Sequence, residues 1–375
     1  MADNYFIAIN CIEKIVIYLN LHHNFKKMKL YSKQDAIEQM NRLAKADIPY
    51  IFIIDYLQEN IFIERIENVD PYETLFSFNS VSNSTHSINE KRKDIGLLQI
   101  GKNFSYNKET DVSNIEWHYN MPLFNSYKMS FDTVVSNIRR GNSFLVNLTC
   151  KVPIATNLSL VDIFYNSKAM YKLLLKDRFV CFSPEIFVRI DKNGVISSYP
   201  MKGTIEASVD RAEEILMNDE KEAAEHATIV DLIRNDLSMV AEDVKVDKYR
   251  YVDTIYTNKG PILQTSSKIS GHLPDDYQER IGDIIFRLLP AGSITGAPKK
   301  KTMEIIAEAE GYDRNFYTGI MGYYMEGCLD SGVMIRFIEN EDGKLYFKAG
   351  GGITSMSCCE SEYNEVIQKV YVPIY

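Results

Sequence analysis

The stretch FVCFSPEIFVRIDKNGVISSYPMKGTIEAS, residues 179–208, decides the fold class. Two apolar runs flank Asn193-Gly194, a dipeptide that supplies the positive φ angles a tight hairpin needs. A second pair of runs, VMIRFIENEDGKLYFKAGGGI (333–353), turns at Asp342-Gly343 in the same manner. Three segments carry helical signals: DEKEAAEHATIVDLIRNDLSMVA (219–241), APKKKTMEIIAEAEG (297–311) and CESEYNEVIQKVY (359–371). The middle one has Pro298 near its first turn and Gly311 past its end, the asymmetry expected of helix boundaries. Hairpins and helices do not alternate regularly, which argues for an α+β fold and against a doubly wound parallel sheet.

Working outward, YIFIIDY (50–56) and NIFIERI (60–66) read as strands, and the polar tract 79–94 as a surface loop. Residues 127–152 read as a helix stopped near Gly141 and followed by a strand. The 375 residues are 45% hydrophobic and 25% charged, a soluble globular profile, with a net charge of −9 that argues against a nucleic-acid partner. Cys11, Cys150, Cys181, Cys328, Cys358 and Cys359 show no C-x-x-C spacing, so neither a zinc ribbon nor a redox pair is expected. Reduced thiols fit a cytoplasmic protein. The first twenty residues lack a basic leader region, and Glu13 and Lys14 interrupt them; no run is long enough for a membrane span.

Several residues can carry chemistry. Glu222 and Glu225 stand three apart on one predicted helix, and Glu362 and Glu365 repeat that spacing on another. Carboxylates without histidine or cysteine suit a hard cation, although the same spacing is common on solvated faces. AGSITGAPKKKT (291–302) lacks the residues of a phosphate loop, yet a glycine-rich turn entering a helix can present amides to an anion. Gly350, Gly351 and Gly352 follow a strand and can bring backbone close to a ligand, or simply loosen a strand end. Arg336, within an apolar strand, can grip an acid. Glu185 and Lys202 lie on the two arms of the Asn193-Gly194 hairpin, placed either for proton transfer and nucleophilic attack or for an ordinary salt bridge.

From about residue 125 onward, KEAAEHATIVDLIRNDL, PAGSITGAPKKKTMEII, YTGIMGYY and GGGITSMSCCESEYNEVIQK occur in one order and spacing. Together they resemble the chorismate-utilising enzymes, which include the anthranilate, aminodeoxychorismate, isochorismate and salicylate synthases. The resemblance implies two antiparallel sheets in a sandwich wrapped by helices. Residues 1–120 would form the N-terminal portion of that unit and 121–375 the chorismate-binding region. It implies Mg2+ with Glu225 and Glu365 as direct ligands and Glu222 and Glu362 acting through water. Gly203, Thr204, Tyr317, Arg336, Gly350, Gly351, Gly352 and Lys369 match substrate-binding positions.

PMKGT (200–204) resembles the pattern of aminodeoxychorismate synthases, whose lysine is understood as a nucleophile; anthranilate synthases carry alanine there. The resemblance thus implies amination of chorismate at C4, with Lys202 as nucleophile and Glu185 as general acid, on the way to 4-aminobenzoate and folate. Leu145 stands where isochorismate and salicylate synthases have their lysine base, against those activities. Gln264 and Met356 also depart from the common pattern. The chain carries no glutaminase nucleophile segment, so the resemblance implies a separate glutamine amidotransferase subunit as ammonia source. The alternatives are anthranilate synthase component I and a chorismate-binding subunit without turnover.

Overall fold

The computed structural model describes residues 28–79, 81–86, 98–106, 114–257, 260–372 and 374. The N-terminal twenty residues and Cys11 lie outside them, as do residues 80 and 87–94 of the polar tract 79–94.

The chain begins with β1 (Leu30–Tyr31) and α1 (Lys33–Lys45), whose first turn is closed by Ser32 accepting from the Asp35 amide at 3.2 Å. Then come β2 (Tyr50–Ile54), β3 (Ile61–Arg65), β4 (Thr74–Phe78), β5 (Val81–His86), β6 (Leu98–Tyr106) and β7 (Trp117–Tyr119). α2 (Phe124–Arg139) stops before Gly141, at φ +77°, and β8 (Leu145–Thr156) follows, as the sequence predicts. α3 (Leu160–Asn166), β9 (Tyr171–Leu175), β10 (Phe179–Ser183), β11 (Ile186–Ile190), β12 (Val195–Ser198) and β13 (Met201–Glu206) lead to α4 (Ala212–Asn218) and α5 (Glu220–Ser238). Two long strands, β14 (Glu242–Thr257) and β15 (Gly260–His272), precede α6 (Ile281–Leu288), the single turn α7 (Gly292–Thr295), β16 (Gly296–Ala297) and α8 (Lys299–Glu310). β17 (Ile320–Met325), β18 (Cys328–Val333), β19 (Phe337–Glu341), β20 (Lys344–Ile353) and α9 (Cys359–Lys369) complete it.

The strands form two sheets, ordered β1-β3-β2-β17-β18-β11-β12-β15-β13 with β14 also on β15, and β16-β8-β20-β19-β10-β9-β4-β5-β6 with β7 also on β8. Pairing is antiparallel except between β5 and β6. The expected α+β sandwich is the fold observed. Both predicted hairpins form: Gly194 takes φ +71° at the first turn, and Asp342 and Gly343 take +51° and +84° at the second.

β2 shows the layering. Tyr50, Phe52 and Ile54 join a core with Met40 of α1, Ile233 of α5 and Ile285 of α6, whereas Ile51 and Ile53 face Phe76, Phe78 and Phe179 between the sheets. Strand alternation permits both, and each large apolar side chain so buried contributes about 1.5–3 kcal/mol. β8 repeats the pattern on the second sheet, packing Val146, Leu148 and Val152 with residues of α2, α8 and α9. The order is helix, sheet, sheet, helix.

Three expectations change. Residues 81–86 are not loop but a strand: the Asn83 side chain donates to the Thr74 carbonyl and accepts from the Phe76 amide, so polar side chains satisfy the buried backbone. Arg336 is not within a strand. β18 ends at Val333, and the chain crosses to the other sheet through Arg336 at φ +53° before β19. Gly350–Gly352 lie inside β20, paired with Thr149, Leu148 and Asn147, and are not a loose strand end.

Candidate active site

A cavity of about 300 Å3 opens between the sheets, and a wider space of about 590 Å3 lies outside it. They share Lys202, Arg336, Gly352 and Lys369 as walls. Every candidate catalytic, substrate-binding and metal-binding residue named from the sequence lines one or the other. Glu185, Tyr317, Gly350 and Gly351 face the inner space. Glu222, Glu225 and Glu362 face the outer one, and Gly203, Thr204 and Glu365 border both.

Lys202 stands on β13 where the pairing with β15 slips by a residue. The slip occurs at Gly203, which has φ +68° and whose added Cβ would lie 3.2 Å from Glu222 Oε2. Such a bulge re-aims a side chain out of the ladder. Lys202 Nζ donates to Glu225 Oε2 at 3.0 Å. Burial disfavours the ammonium, but Glu225, with Glu365 and Glu222 behind it, holds the pKa above its usual value.

The acidic residues come from helices on opposite sheets: α5 packs on β13–β15 and α9 on β20. Asp219 accepts from the Glu222 amide at 2.9 Å and fixes the first turn of α5. Lys221 Nζ lies 3.7 Å from Glu225 Oε1 and 3.8 Å from Glu362 Oε1, joining the two helices. Its i,i+4 spacing to Glu225 was readable in the sequence and was missed. Burial and the Glu225 charge push Glu222 up; burial pushes Glu362 up, with the Glu365 charge adding to it against a Ser357 hydrogen bond. Lys369 Nζ bonds Glu365 Oε1 at 2.5 Å and the Gly350 carbonyl at 2.8 Å, tying α9 to β20.

The glycines create room. A Cβ at Gly351 would sit 3.5 Å from both Glu362 Oε2 and Glu365 Oε1, and one at Gly352 3.6 Å from Lys202 Nζ. At Gly350 it would meet the Leu148 carbonyl oxygen at 2.4 Å. Leu145 Cδ1 would lie 3.2 Å from a Cβ added at Gly352, so the side chain beside that glycine is apolar and not a lysine. Gln264 pairs with Thr204 and faces both spaces, while Met356 is 69% exposed, outside them.

Glu185 does not oppose Lys202 across one hairpin. It precedes β11, whereas Lys202 is on β13, with β12 and β15 between these strands in the sheet. Its partner is Ser293, whose hydroxyl donates to Oε1 at 2.6 Å. Burial pushes the Glu185 carboxyl above the usual carboxylate range; Ser293, Lys369, Lys202 and Arg336 pull it back only in part. The AGSITG turn therefore contributes a hydroxyl, a role its sequence does not announce. Tyr317 is buried against Phe337, ring centroids 5.9 Å apart, and the Arg336 guanidinium lies 5.7 Å from the Tyr371 ring.

The acidic set fits a hard dication in its chemistry. Its donors are all carboxylate oxygens, it has space beside Gly351, and repulsion within it favours an added positive charge. Among the described residues no group of three acidic, histidine or cysteine side chains is already arranged to hold a metal. Mg2+ keeps several waters and takes only one or two carboxylates, so it does not require such a cage.

The sequence pattern of chorismate binding enzymes matches residues 5–374. A Haemophilus influenzae protein described as an uncharacterised PabA-like protein is 47% identical over 341 residues, 91% of this chain and 97% of that one. Aminodeoxychorismate synthase component 1 of Salmonella typhimurium is 39% identical over 196 residues, 50% of this chain and 42% of that one. The crystal structure of anthranilate synthase component I from Streptococcus pneumoniae TIGR4 has a TM-score of 0.58 and 28% identity, covering 70% of this chain and 60% of that one. With the pattern matched along almost the whole chain, the protein belongs to the chorismate-binding enzyme family.

Proposed function

We propose that this chain aminates chorismate at C4 as aminodeoxychorismate synthase component I, with residues 121–375 as the catalytic region and 1–120 as its N-terminal portion. The observation that carries this is the position of Lys202, aimed by the Gly203 bulge at the cavity between the acidic helices and the glycine strand. Gly350–Gly352, Arg336, Tyr317, Thr204 and Lys369 surround the space for the substrate's carboxylates.

Lys202, once its ammonium has given a proton to solvent, adds to C2 as the neutral amine while the C4 hydroxyl departs, and regains that proton after it is released. Glu185, whose carboxyl burial pushes above the usual carboxylate range, gives that hydroxyl its proton and releases it as water. Ammonia then adds at C4, the bond from C2 to Lys202 breaks, and the incoming nitrogen loses a proton to the Glu185 carboxylate. Chorismate and ammonia thus become 4-amino-4-deoxychorismate and water, and both side chains return to their starting states. A Mg2+ ion held by Glu225 and Glu365, with Glu222 and Glu362 behind water, would supply Lewis-acid hold on the ring carboxylate.

Ammonia would come from a glutamine amidotransferase subunit, and the product would feed 4-aminobenzoate and folate synthesis. A cytoplasmic location suits this. Among the described residues no helix is long and apolar enough to cross a membrane.

The Lys202–Glu225 ion pair favours a second reading, in which Lys202 only secures α5 and the reaction is that of an anthranilate synthase. The test is product analysis of the purified chain with chorismate, Mg2+ and a concentrated ammonium salt. Aminodeoxychorismate with its enolpyruvyl group intact supports the proposal. Anthranilate with pyruvate contradicts it, and no product even with an amidotransferase added would leave a binding subunit.

A further inference from the structure

Arg314 does not face the cavity, yet its side chain is bonded to three segments that do. A guanidinium has five N–H donors in one rigid plane, and here all five are used. Nε donates to Glu310 Oε2 at 2.9 Å, and Nη2 donates to Glu310 Oε1 and to the Asn147 carbonyl, both at 2.6 Å. Nη1 donates to the Ile294 carbonyl at 3.1 Å and to Thr318 Oγ1 at 3.4 Å. The Arg314 and Glu310 side chains are 2% and 0% exposed.

This pair fills a gap in a sheet edge. β8 pairs with β20 along one side; along the other, Leu145 and Val146 meet β16 and Ile154–Thr156 meet β7. Between them no strand of the described residues covers the Asn147 carbonyl or the Thr149 amide. Arg314 takes the first, and Glu310 Oε1 takes the second at 2.8 Å. Buried edge groups left unpaired would each cost about 1–3 kcal/mol.

The acceptors identify what is being held. Asn147 is the ladder partner of Gly352. Ile294 follows Ser293, whose hydroxyl holds Glu185. Thr318 follows Tyr317. We propose that Arg314 is a positioning residue for the reaction, a five-point clamp that fixes the glycine strand, the Ser293 turn and the Tyr317 segment relative to one another. The kinetic part of this rests on reading Glu185 as the proton donor.

The backbone here is secured separately: Lys348 Nζ donates to the Asp313 and Arg314 carbonyls at 3.1 and 3.0 Å. A lysine in place of Arg314 keeps the charge beside Glu310 but has three donors, so it cannot serve all five acceptors. Arg314→Lys therefore keeps the fold while opening the clamp.

The experiment compares Arg314→Lys, Ser293→Ala and Glu185→Gln with the unaltered protein. Amide hydrogen exchange at 145–149 and 292–296 is followed, together with kcat and KM for chorismate across pH at fixed free ammonia. In Arg314→Lys, exchange should rise in both segments and kcat per folded molecule should fall about 10- to 100-fold, more than KM changes. The groups facing Glu185 are Ser293, Lys202, Lys369 and Arg336. A loosened Ser293 bond should move the high-pH limb of the rate upward, as Ser293→Ala does directly. Unchanged exchange overturns the clamp. Raised exchange with unaltered kinetics per folded molecule, or a fall in melting temperature alone, overturns the positioning role. Full turnover by Glu185→Gln would instead sink the proton donor, a failure read on a different variant.

Discussion

Two charged clusters in this molecule use the same residue types to opposite ends. At the mouth, Glu222, Glu225, Glu362 and Glu365 are interleaved with Lys202, Lys221 and Lys369, and repulsion among the carboxylates remains. A few residues further in, Glu310 and Arg314 satisfy one another and the backbone around them, and Lys348 pairs with Glu339 at 2.5 Å. The first cluster is left short of positive charge and open to solvent on one side. The second is closed, with every guanidinium donor engaged. Charge that is incompletely paired is available to a ligand; charge that is fully paired fixes shape.

The largest effect expected of breaking that contrast is in the closed cluster. Removing one partner of a buried pair costs about 3–5 kcal/mol, so Glu310→Ala should lower urea stability by that amount. A loss below about 1 kcal/mol would mean the interior pair is not the tighter of the two. In the open cluster the cost should fall on activity. Glu225→Gln should lower turnover roughly 100-fold and raise the Mg2+ concentration needed, while costing less stability than Glu310→Ala. A Mg2+ titration beside a urea curve reads both, and unchanged Mg2+ dependence would remove Glu225 from the metal site.

Acidity sharpens the picture next. The Glu185 carboxyl is pushed up by burial, and in the proposed reaction it donates in its protonated form. At fixed free ammonia the rate should therefore fall as pH rises through that raised pKa, about tenfold per unit beyond it. Glu185→Gln should be slow and lack this limb; a limb that persists belongs to another group. The smallest effect is expected at Gly351. An alanine there makes only ordinary 3.5 Å contacts with Glu362 and Glu365, so it should fold normally and raise KM roughly several-fold by occupying ligand space. Gly350→Ala, driven into the Leu148 carbonyl at 2.4 Å, should instead cost about 1–3 kcal/mol of stability. Equal behaviour of the two would contradict the division between clearance and packing.

What the sequence disclosed follows the same division. Hairpin turns at Gly194 and Gly343 and the i,i+3 glutamates are local patterns, and the structure displays all of them. The bonds from Arg314 to Asn147 and from Glu185 to Ser293 join residues 167 and 108 positions apart, which no local spacing encodes. β5 was hidden because its burial is supported by Asn83 and Ser82 side chains and not by apolar alternation. Arg336 was misplaced because its neighbours are apolar on both sides of a sheet crossing, where strand and crossover look alike.

The most direct test of the account is the turnover of Lys202→Ala with saturating ammonium, measured beside chorismate binding by calorimetry. The account predicts retained binding, aminodeoxychorismate formation lowered by roughly 1,000-fold or more, and loss of a covalent adduct on the Lys202 peptide that the unaltered protein shows after rapid quenching. Unchanged turnover, with no adduct in either protein, would make Lys202 a structural partner of Glu225 and contradict the proposed chemistry.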